Sequence, residues 1–122
     1  MKKKTTETAL IDLTSCIVEA MEDKKAHEIV SIDLRKLTNP VADVFIICHG
    51  TSDRQVESIA ENIEKHVFLK LKQKPSYREG YENKEWILLD FFDIIVHVFQ
   101  ENKRGFFNLE SLWGDGELKT YN

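Results

Sequence analysis

The 122-residue chain is poor in cysteine, and this scarcity limits the kinds of site that it can build. Its two cysteines, Cys16 and Cys48, fall in a predicted helix and at the end of an apolar predicted strand, so we expect both to be small buried residues. No Cys-x-x-Cys or paired Cys/His spacing occurs, which excludes the usual structural zinc motifs. A structural disulfide is not expected, and a reducing cytoplasmic compartment suits such cysteine usage.

Long apolar runs and an excess of positive charge are also absent. No apolar stretch approaches the length of a membrane span, and the basic run at residues 2–4 precedes no apolar segment of a signal peptide. The 17 basic and 21 acidic residues give a formal net charge of -4, which argues against general nucleic-acid binding through phosphate contacts. We expect no membrane and no specific direct nucleic-acid partner, whereas a basic protein partner fits the charge.

The chain does contain the succession of helical and strand patterns that is typical of one α/β domain. With 42% hydrophobic residues it is long enough for a single core, and no repeat or low-complexity linker divides residues 1–122. Hydrophobic periodicity predicts helices over 6–24, from Ser52 to before Pro75 and around 107–113, and strands over 28–34, 43–48, 76–80 and within 86–99, with a turn at 38–40. This order predicts a mixed sheet of about five strands flanked by helices, with the strands at 43–48 and 76–80 paired in parallel.

Segment 86–99 has two chemically different faces. We predict a hairpin with a tight turn at Phe91 and Phe92, in which side chains alternate between the faces of the strands. One face is purely aliphatic and is assigned to the core: Ile87, Leu89, Ile94, Val96 and Val98. The other face mixes aromatic, aliphatic, acidic and histidine side chains: Trp86, Leu88, Asp90, Asp93, Ile95, His97 and Phe99. In the predicted register Trp86 lies opposite His97 and Leu88 lies opposite Ile95.

The mixed face of this hairpin has two interpretations. A tryptophan and a histidine among aliphatic residues, with carboxylates at the edge, are typical of a surface that binds another protein. Alternatively, the last predicted helix covers the face and makes it part of the core, through Leu109, Leu112 and Trp113. The first interpretation is favoured.

An enzymatic reading of the same hairpin rests on Asp90, Asp93 and His97. Two carboxylates and an imidazole on one face could bind a divalent metal or perform acid–base chemistry. However, aspartates beside a tight turn are ordinary turn residues, so we expect neither a metal nor a cofactor. The remaining histidines, His27, His49 and His66, have no matching constellation and are interpreted as surface or turn residues.

The turn from Gly50 to Asp53 precedes a predicted helix, and backbone amides at such a position can bind phosphate. No Walker lysine is present, and Asp53 places a negative charge where a phosphate would lie. Ser52 followed by Gln55 has the capping-box pattern, which favours a simple helix start. A metal- or nucleotide-dependent transferase of the nucleotidyltransferase type therefore stands only as the alternative function.

Several separated motifs together resemble the ribosomal silencing factor, or Iojap, family, and the match covers nearly the whole chain in the correct order. The matching positions are 42–47, 50–56, Glu79, Gly80, Trp86, Leu88, Leu89, Asp90, Asp93, Val96, His97, Phe99, Leu109, Glu110, Leu112, Trp113, Gly114 and Asp115. The resemblance implies a nucleotidyltransferase-like α/β fold without the catalytic residues of true nucleotidyltransferases. It also implies a non-enzymatic translation repressor. A homodimer of the free protein is a compatible expectation, because exposed apolar residues on the hairpin or the last helix could pair two copies.

The resemblance further implies a partner. Members of this family bind the large ribosomal subunit through the ribosomal protein numbered fourteen, at the joining face, and sterically block association with the small subunit when nutrients are scarce. Carried onto this sequence, the ribosome-binding role falls on the mixed hairpin face: Trp86, Leu88, Asp90, Asp93 and His97. The chain departs from the family pattern at Phe92, where a glycine is usual, and at His49, where a small hydroxyl residue is usual. Since the favoured two-residue hairpins need a positive φ, which phenylalanine adopts poorly, the turn type stays open.

Overall fold

A computed structural model of the protein describes residues 6–37 and 42–122, so the predicted turn at 38–40 and the basic run at 2–4 lie outside the described residues. Four helices and six strands follow one another: α1 (Glu7–Asp23), β1 (His27–Asp33), β2 (Val44–Gly50), α2 (Asp53–Leu71), β3 (Tyr77–Glu79), β4 (Trp86–Asp90), β5 (Ile94–Gln100), α3 (Glu101–Phe107), α4 (Leu109–Leu112) and β6 (Glu117–Thr120). Within these residues, no helix combines the length and the apolarity needed to cross a membrane.

The two long helices begin where their capping residues place them. The Thr6 hydroxyl accepts a hydrogen bond from the Ala9 amide at 3.1 Å, and the Ser52 hydroxyl accepts one from the Gln55 amide, also at 3.1 Å. The predicted start of α2 at Ser52 is therefore confirmed. The Gln55 side chain does not close the capping box on the Ser52 amide, since its oxygen accepts from the Thr51 amide at 2.8 Å.

The strands form one mixed sheet in the order β3-β4-β5-β2-β1-β6. The only parallel pair among the described strands is β2 with β5, whereas the other neighbours are antiparallel. The predicted parallel pairing of 43–48 with 76–80 is therefore wrong. β5 is largely buried and fits the centre beside β2, whereas the three exposed residues of β3 fit an edge, where β3 pairs with β4.

The sixth strand was not predicted, because Glu117–Thr120 is short, exposed and without apolar alternation. It forms against the edge of β1, where Ser31 pairs with Lys119. The Tyr121 amide donates to the Ile29 carbonyl at 2.9 Å, and the Asn122 side-chain oxygen accepts from the Ile29 amide at 2.8 Å. Distant pairing, and not local sequence preference, creates this strand.

Helices α1 and α2 cover one face of the sheet, and the larger apolar cluster lies between them and the strands. The five aliphatic residues that the hairpin pattern assigns to the core, Ile87, Leu89, Ile94, Val96 and Val98, are all fully buried in this cluster. That prediction is confirmed. A smaller cluster lies on the opposite face, where Leu109 and Trp113 from the last helical segment meet Phe45 and Phe99.

Candidate recognition surface

The sheet face opposite α1 and α2 is only partly covered where β3, β4 and β5 lie side by side. Strand pairing places eight side chains on this face of the sheet, of which His97 and Phe99 are buried. We call the other six the open face: Tyr77, Glu79, Trp86, Leu88, Asp90 and Ile95. Leu88 and Ile95 are half-buried, and Tyr77 at the sheet edge is 53% exposed. The predicted alternation of the hairpin is therefore confirmed, whereas His97 and Phe99 of the predicted mixed face are buried and not at the surface.

The hairpin register differs from the predicted one by two residues. Trp86 lies opposite Phe99, and Leu88 lies opposite His97. The cause is the turn, which closes through the Phe91 amide donating to the Ile94 carbonyl at 2.9 Å and so falls on residues 92–93 instead of 91–92. A shift of two residues preserves both faces, since side chains alternate with a period of two.

Phe91 and Phe92 have opposite environments, and this difference sets the turn. Phe91 is 4% exposed and belongs to the larger apolar cluster, so it pairs with Ile94 instead of entering the turn. Phe92 is 58% exposed and adopts a φ of 71°, contrary to the expectation that phenylalanine is unsuited to it. Its amide donates to the Asp90 carboxylate at 2.7 Å, which stabilises the turn.

His97 is a buried residue that binds Trp86 and does not form an exposed contact. It is 4% exposed, and its Nδ1 accepts a hydrogen bond from the Trp86 indole Nε1–H at 3.0 Å. Because Nδ1 accepts, the neutral ring carries its proton on Nε2, which has no hydrogen-bond partner among the described residues. Burial lowers the pKa of His97 to about 3, so the ring is neutral at pH 7. The predicted direct role of His97 at the surface is thus corrected to positioning the indole.

Aromatic rings cover the other end of this sheet face. The Trp86 ring lies 4.9 Å from Phe99 and 4.7 Å from Phe107 of α3, measured between centroids. Trp113 contacts Phe45 at 5.6 Å. Leu112, which the alternative interpretation assigns to covering the face, is 71% exposed. The covering interpretation therefore holds for Phe99 and His97 but not for the open face near Leu88.

The acidic side chains lie at the rim of the open face and do not form a metal site. Within residues 6–37 and 42–122, no three histidine, cysteine, aspartate or glutamate residues are placed to hold a metal ion. The Asp90 carboxylate accepts the hydrogen bond from the Phe92 amide in the turn. The carbonyl oxygen of Asp93 accepts hydrogen bonds from the Asp43 and Val44 amides at 2.9 and 3.0 Å. The hairpin turn is thereby tied to the start of β2.

Two residues of the open face, Tyr77 and Glu79, were not predicted from the sequence to be part of it. Both come from β3, whose short polar sequence gives no sign of which strand it pairs with. The charge of Glu79 is the largest cause of a raised pKa at the Tyr77 hydroxyl. Pairing of Tyr77 with Asp90 and of Glu79 with Leu88 adds a carboxylate and an exposed ring to the surface.

Several polar groups of the loop between β2 and α2 are bonded within the protein. The Thr51 amide donates to Gln55, the Gln55 amide donates to Ser52, and the Asp53 carboxylate accepts from the Gln100 side chain. These contacts support the capping interpretation of Ser52 and occupy donors that a phosphate would need.

His49, interpreted from sequence as a surface or turn residue, is 4% exposed, so that interpretation is wrong. Its Nδ1 lies 2.9 Å from an Arg104 guanidinium nitrogen, and burial together with that charge lowers the pKa of His49. Arg104, itself buried, also donates to the His27 carbonyl at 3.3 Å and pairs with Glu110 at 3.1 Å. This group of contacts attaches α3 and α4 to the ends of β1 and β2.

Comparison with known proteins gives one consistent result. The family described as ribosomal silencing factor during starvation matches residues 6–121. The ribosomal silencing factor RsfS of Halalkalibacterium halodurans is 40% identical over 104 residues, which cover 85% of this chain and 87% of that protein. A crystal structure of a protein from Chromobacterium violaceum superposes with a TM-score of 0.79 at 32% identity, covering 85% of each chain.

A more distant relative is the mouse protein named mitochondrial assembly of ribosomal large subunit protein 1. It is 30% identical over 73 residues, which cover 58% of this chain and 32% of that protein. The family match over residues 6–121 spans every position on which the sequence resemblance rests. This chain belongs to the ribosomal silencing factor family.

Proposed function

We propose that this protein represses translation by binding the large ribosomal subunit at its joining face, where it sterically prevents association with the small subunit under nutrient limitation. The contact surface is the open face together with Asp93, and the partner is the ribosomal protein numbered fourteen. The observation that carries the proposal is the half-buried pair Leu88 and Ile95 on a rigid sheet, bordered by carboxylates. The protein acts in the cytoplasm without a cofactor and without catalysing a reaction.

The composition of the open face suits a protein partner. Leu88 and Ile95 are half-buried and expose part of their apolar surface to solvent. The Trp86 indole adds a large ring whose orientation is fixed by its hydrogen bond to His97. Such anchored aromatic and aliphatic groups supply most of the free energy of binding in protein interfaces. Because these side chains are fixed by strands and not by loops, little conformational entropy is lost on binding.

Charge gives the surface its preference among partners. Glu79 and Asp90 lie on the open face, and Asp93 lies at its hairpin end. Carboxylates around an apolar centre attract a basic surface and repel an acidic one, which orients the complex more than it tightens it. A partly basic ribosomal protein fits this pattern.

The large subunit is the favoured partner for two reasons. The family description states silencing of ribosomes, and the mouse relative carries the large ribosomal subunit in its name. A protein bound at the joining face needs no chemistry to silence the ribosome, since its volume alone excludes the small subunit. The internal hydrogen bonds of the Thr51 and Gln55 amides after Gly50 are consistent with a nucleotidyltransferase-like fold that does not use this loop for catalysis.

We infer that two copies associate when the protein is free. Phe107 is 42% exposed and contacts Trp86 of the open face, and Leu112 of α4 is 71% exposed. Exposed apolar groups next to a binding surface favour self-association, so the dimer and the ribosome compete for the same side chains. Sedimentation velocity over a range of concentrations is expected to show a dimer that dissociates when an excess of the isolated ribosomal protein is added.

A charge inserted into the apolar centre tests the surface. We expect Leu88→Asp to weaken co-sedimentation with purified large subunits by at least roughly 30-fold, as for loss of an interface hot spot. The matched control is Ile11→Asp, because Ile11 is 55% exposed on α1, on the other side of the sheet. Circular dichroism and urea unfolding establish that both variants are folded. Co-sedimentation of the milder variant Leu88→Ala provides a second measurement of the same contact.

The same variants are measured in a subunit-joining assay. Wild-type protein and Ile11→Asp are expected to inhibit joining of the two subunits, whereas folded Leu88→Asp is not. Equal binding and inhibition by Leu88→Asp and Ile11→Asp would exclude the open face as the ribosome contact. Failure of the wild-type protein to bind large subunits would overturn the proposed function itself.

A further inference from the structure

One stretch of this acidic protein carries only positive charge. Residues 65–78 contain no aspartate or glutamate and five cations: Lys65, Lys70, Lys72, Lys74 and Arg78. The rest of the chain contains the other 12 of the 17 basic residues and all 21 acidic residues. Its formal charge is therefore -9. We call residues 65–78 the basic stretch.

The basic stretch runs along one edge of the molecule, next to the open face. It comprises the last part of α2, the connection through Pro75 and the start of β3. Tyr77 belongs to both surfaces, because β3 is the edge strand and pairs with β4. A partner bound on the open face therefore brings its surroundings close to the basic stretch.

Three of the five cations are not neutralised within the protein. Lys70 pairs with Glu19 at 2.7 Å, and Arg78 pairs with Glu64 at 3.1 Å. Among residues 6–37 and 42–122, Lys65, Lys72 and Lys74 form no ion pair, and all three are exposed. Three ammonium groups are thus left for an anion outside the chain.

Exposed aromatic rings accompany these lysines. The Lys72 and Lys74 ammonium nitrogens lie 5.5 and 5.4 Å from the centre of the Phe68 ring, which is 43% exposed. Tyr77, 53% exposed, lines the same cleft of about 650 Å³ as Lys65, Phe68 and Lys74. The one carboxylate in this lining, Glu64, is paired with Arg78. Favourable interaction with the dipole of α2 accounts for Lys70 in its last turn, but not for Lys74 beyond the helix or for the exposed rings.

We propose that the basic stretch binds the phosphate backbone of RNA, with Phe68 and Tyr77 available for stacking of unpaired bases. Clustered lysines that contact phosphates, combined with exposed aromatic rings, are the chemistry by which proteins hold single-stranded nucleic acid without reading its sequence. The proposal rests on the proposed function, since it assigns the ribosomal RNA beside the protein contact as the ligand. The net charge of -4 does not reveal this basic surface, because positively charged residues are concentrated in 65–78 and the acidic residues lie elsewhere in the chain.

The test uses the full chain and a fluorescently labelled single-stranded RNA of twelve uridines, about the length that one such groove spans. Binding is followed by fluorescence anisotropy at several salt concentrations. If three phosphates are contacted, the logarithm of the binding constant should fall with the logarithm of salt concentration with a slope of about -2. The triple variant Lys65→Gln, Lys72→Gln, Lys74→Gln is expected to lose most of the binding and the slope.

A matched control carries the same loss of charge elsewhere. Lys24, Lys25 and Lys119 are exposed and lie outside the basic stretch, so their triple glutamine variant is expected to bind this RNA as the wild type does. Equal loss in both triple variants would show that only net charge matters and would overturn the proposal. Absence of RNA binding by the wild type at low salt would overturn it as well.

Two further measurements separate this proposal from the proposed function. Leu88→Asp is expected to retain RNA binding while losing the ribosomal protein, and the basic-stretch variant is expected to show the reverse. With intact large subunits, the basic-stretch variant should bind with a weaker salt dependence than the wild type. Binding of the wild type to vesicles containing anionic phosphatidylglycerol, with no binding to RNA, would assign the basic stretch to a lipid surface instead.

Discussion

The indole of Trp86 and the imidazole of His97 form a hydrogen bond of 3.0 Å across β4 and β5, between diagonal neighbours of the hairpin. The bond joins a half-buried residue of the open face to a buried one. Since His97 accepts through Nδ1 and cannot charge easily in its apolar site, the arrangement fixes both the ring orientation and its protonation state. The surface tryptophan is therefore held by the core.

This buried histidine should make the stability of the protein depend on pH. The pKa of His97 is lowered in the folded state to about 3 from its ordinary value of 6.5, so below pH 6.5 the unfolded chain binds a proton that the folded chain does not. The stability is complete above pH 6.5 and is lost as the pH falls toward 3. Between pH 7 and 5 this single group is expected to lower the free energy of unfolding by about 2 kcal/mol.

Urea unfolding of His97→Asn at the same pH values provides the comparison. Asparagine offers an oxygen near the position of Nδ1 but does not titrate, so the variant should lose less stability between pH 7 and 5. His49, whose pKa is also lowered, is present in both proteins, and its contribution cancels in the difference. An identical pH dependence for the two proteins would contradict the assignment to His97.

The hairpin also shows what the sequence could and could not predict. The two faces were correct because alternation is local, as the complete burial of Ile87 and Leu89 demonstrates. The register was wrong because burial of Phe91 moves the turn by one residue, and that burial depends on a core formed by residues far away in the chain. The burial of His97, the pairing of β3 and the existence of β6 likewise depend on residues far away in the chain.

Two glycines are expected to respond to alanine in opposite directions. Gly80 has a φ of +97°, and an added Cβ would collide with the Trp86 carbonyl oxygen, so Gly80→Ala should cost at least about 2 kcal/mol of stability. Gly105 lies in α3 with no heavy atom within 4 Å of an added Cβ. Gly105→Ala should therefore raise the stability by roughly 0.5–1 kcal/mol. Urea unfolding of both variants measures this contrast, and a loss of stability in Gly105→Ala would disagree with an open helical site.

Arg104 should be essential for holding α3 and α4 against the sheet. Removing its side chain in Arg104→Ala leaves the carboxylate of Glu110, one oxygen of which is already buried without a partner among the described residues. Since Arg104 is buried and the Glu110 side chain is 29% exposed, breaking this partly buried pair is expected to cost about 2 kcal/mol, with faster hydrogen exchange at the amides of α4. The double variant Arg104→Met, Glu110→Leu should recover most of that loss, because it removes both charges and restores apolar contacts. A double variant as unstable as Arg104→Ala would indicate that the contacts to His49 and His27 dominate instead.

Replacement of Trp86 distinguishes the contact area of its ring from the hydrogen bond of its nitrogen. If the ring is a hot spot for the large subunit, Trp86→Ala should weaken binding by about 2 kcal/mol, roughly 30-fold in Kd. Trp86→Phe keeps a ring beside Phe99 but removes the donor to His97, so its loss should be smaller and should reflect a less fixed orientation. Ile11→Ala, on the opposite side of the sheet, serves as the control.

Because Trp86 also contacts Phe107 of α3, each variant must be compared at equal fractions of folded protein, established by urea unfolding. Large-subunit affinity is then measured by co-sedimentation for all four proteins. The expected order of affinity is wild type and Ile11→Ala together, then Trp86→Phe, then Trp86→Ala. Equal affinity for wild type and folded Trp86→Ala would leave His97 with a purely structural role and would confine the contact to Leu88, Ile95 and the acidic rim.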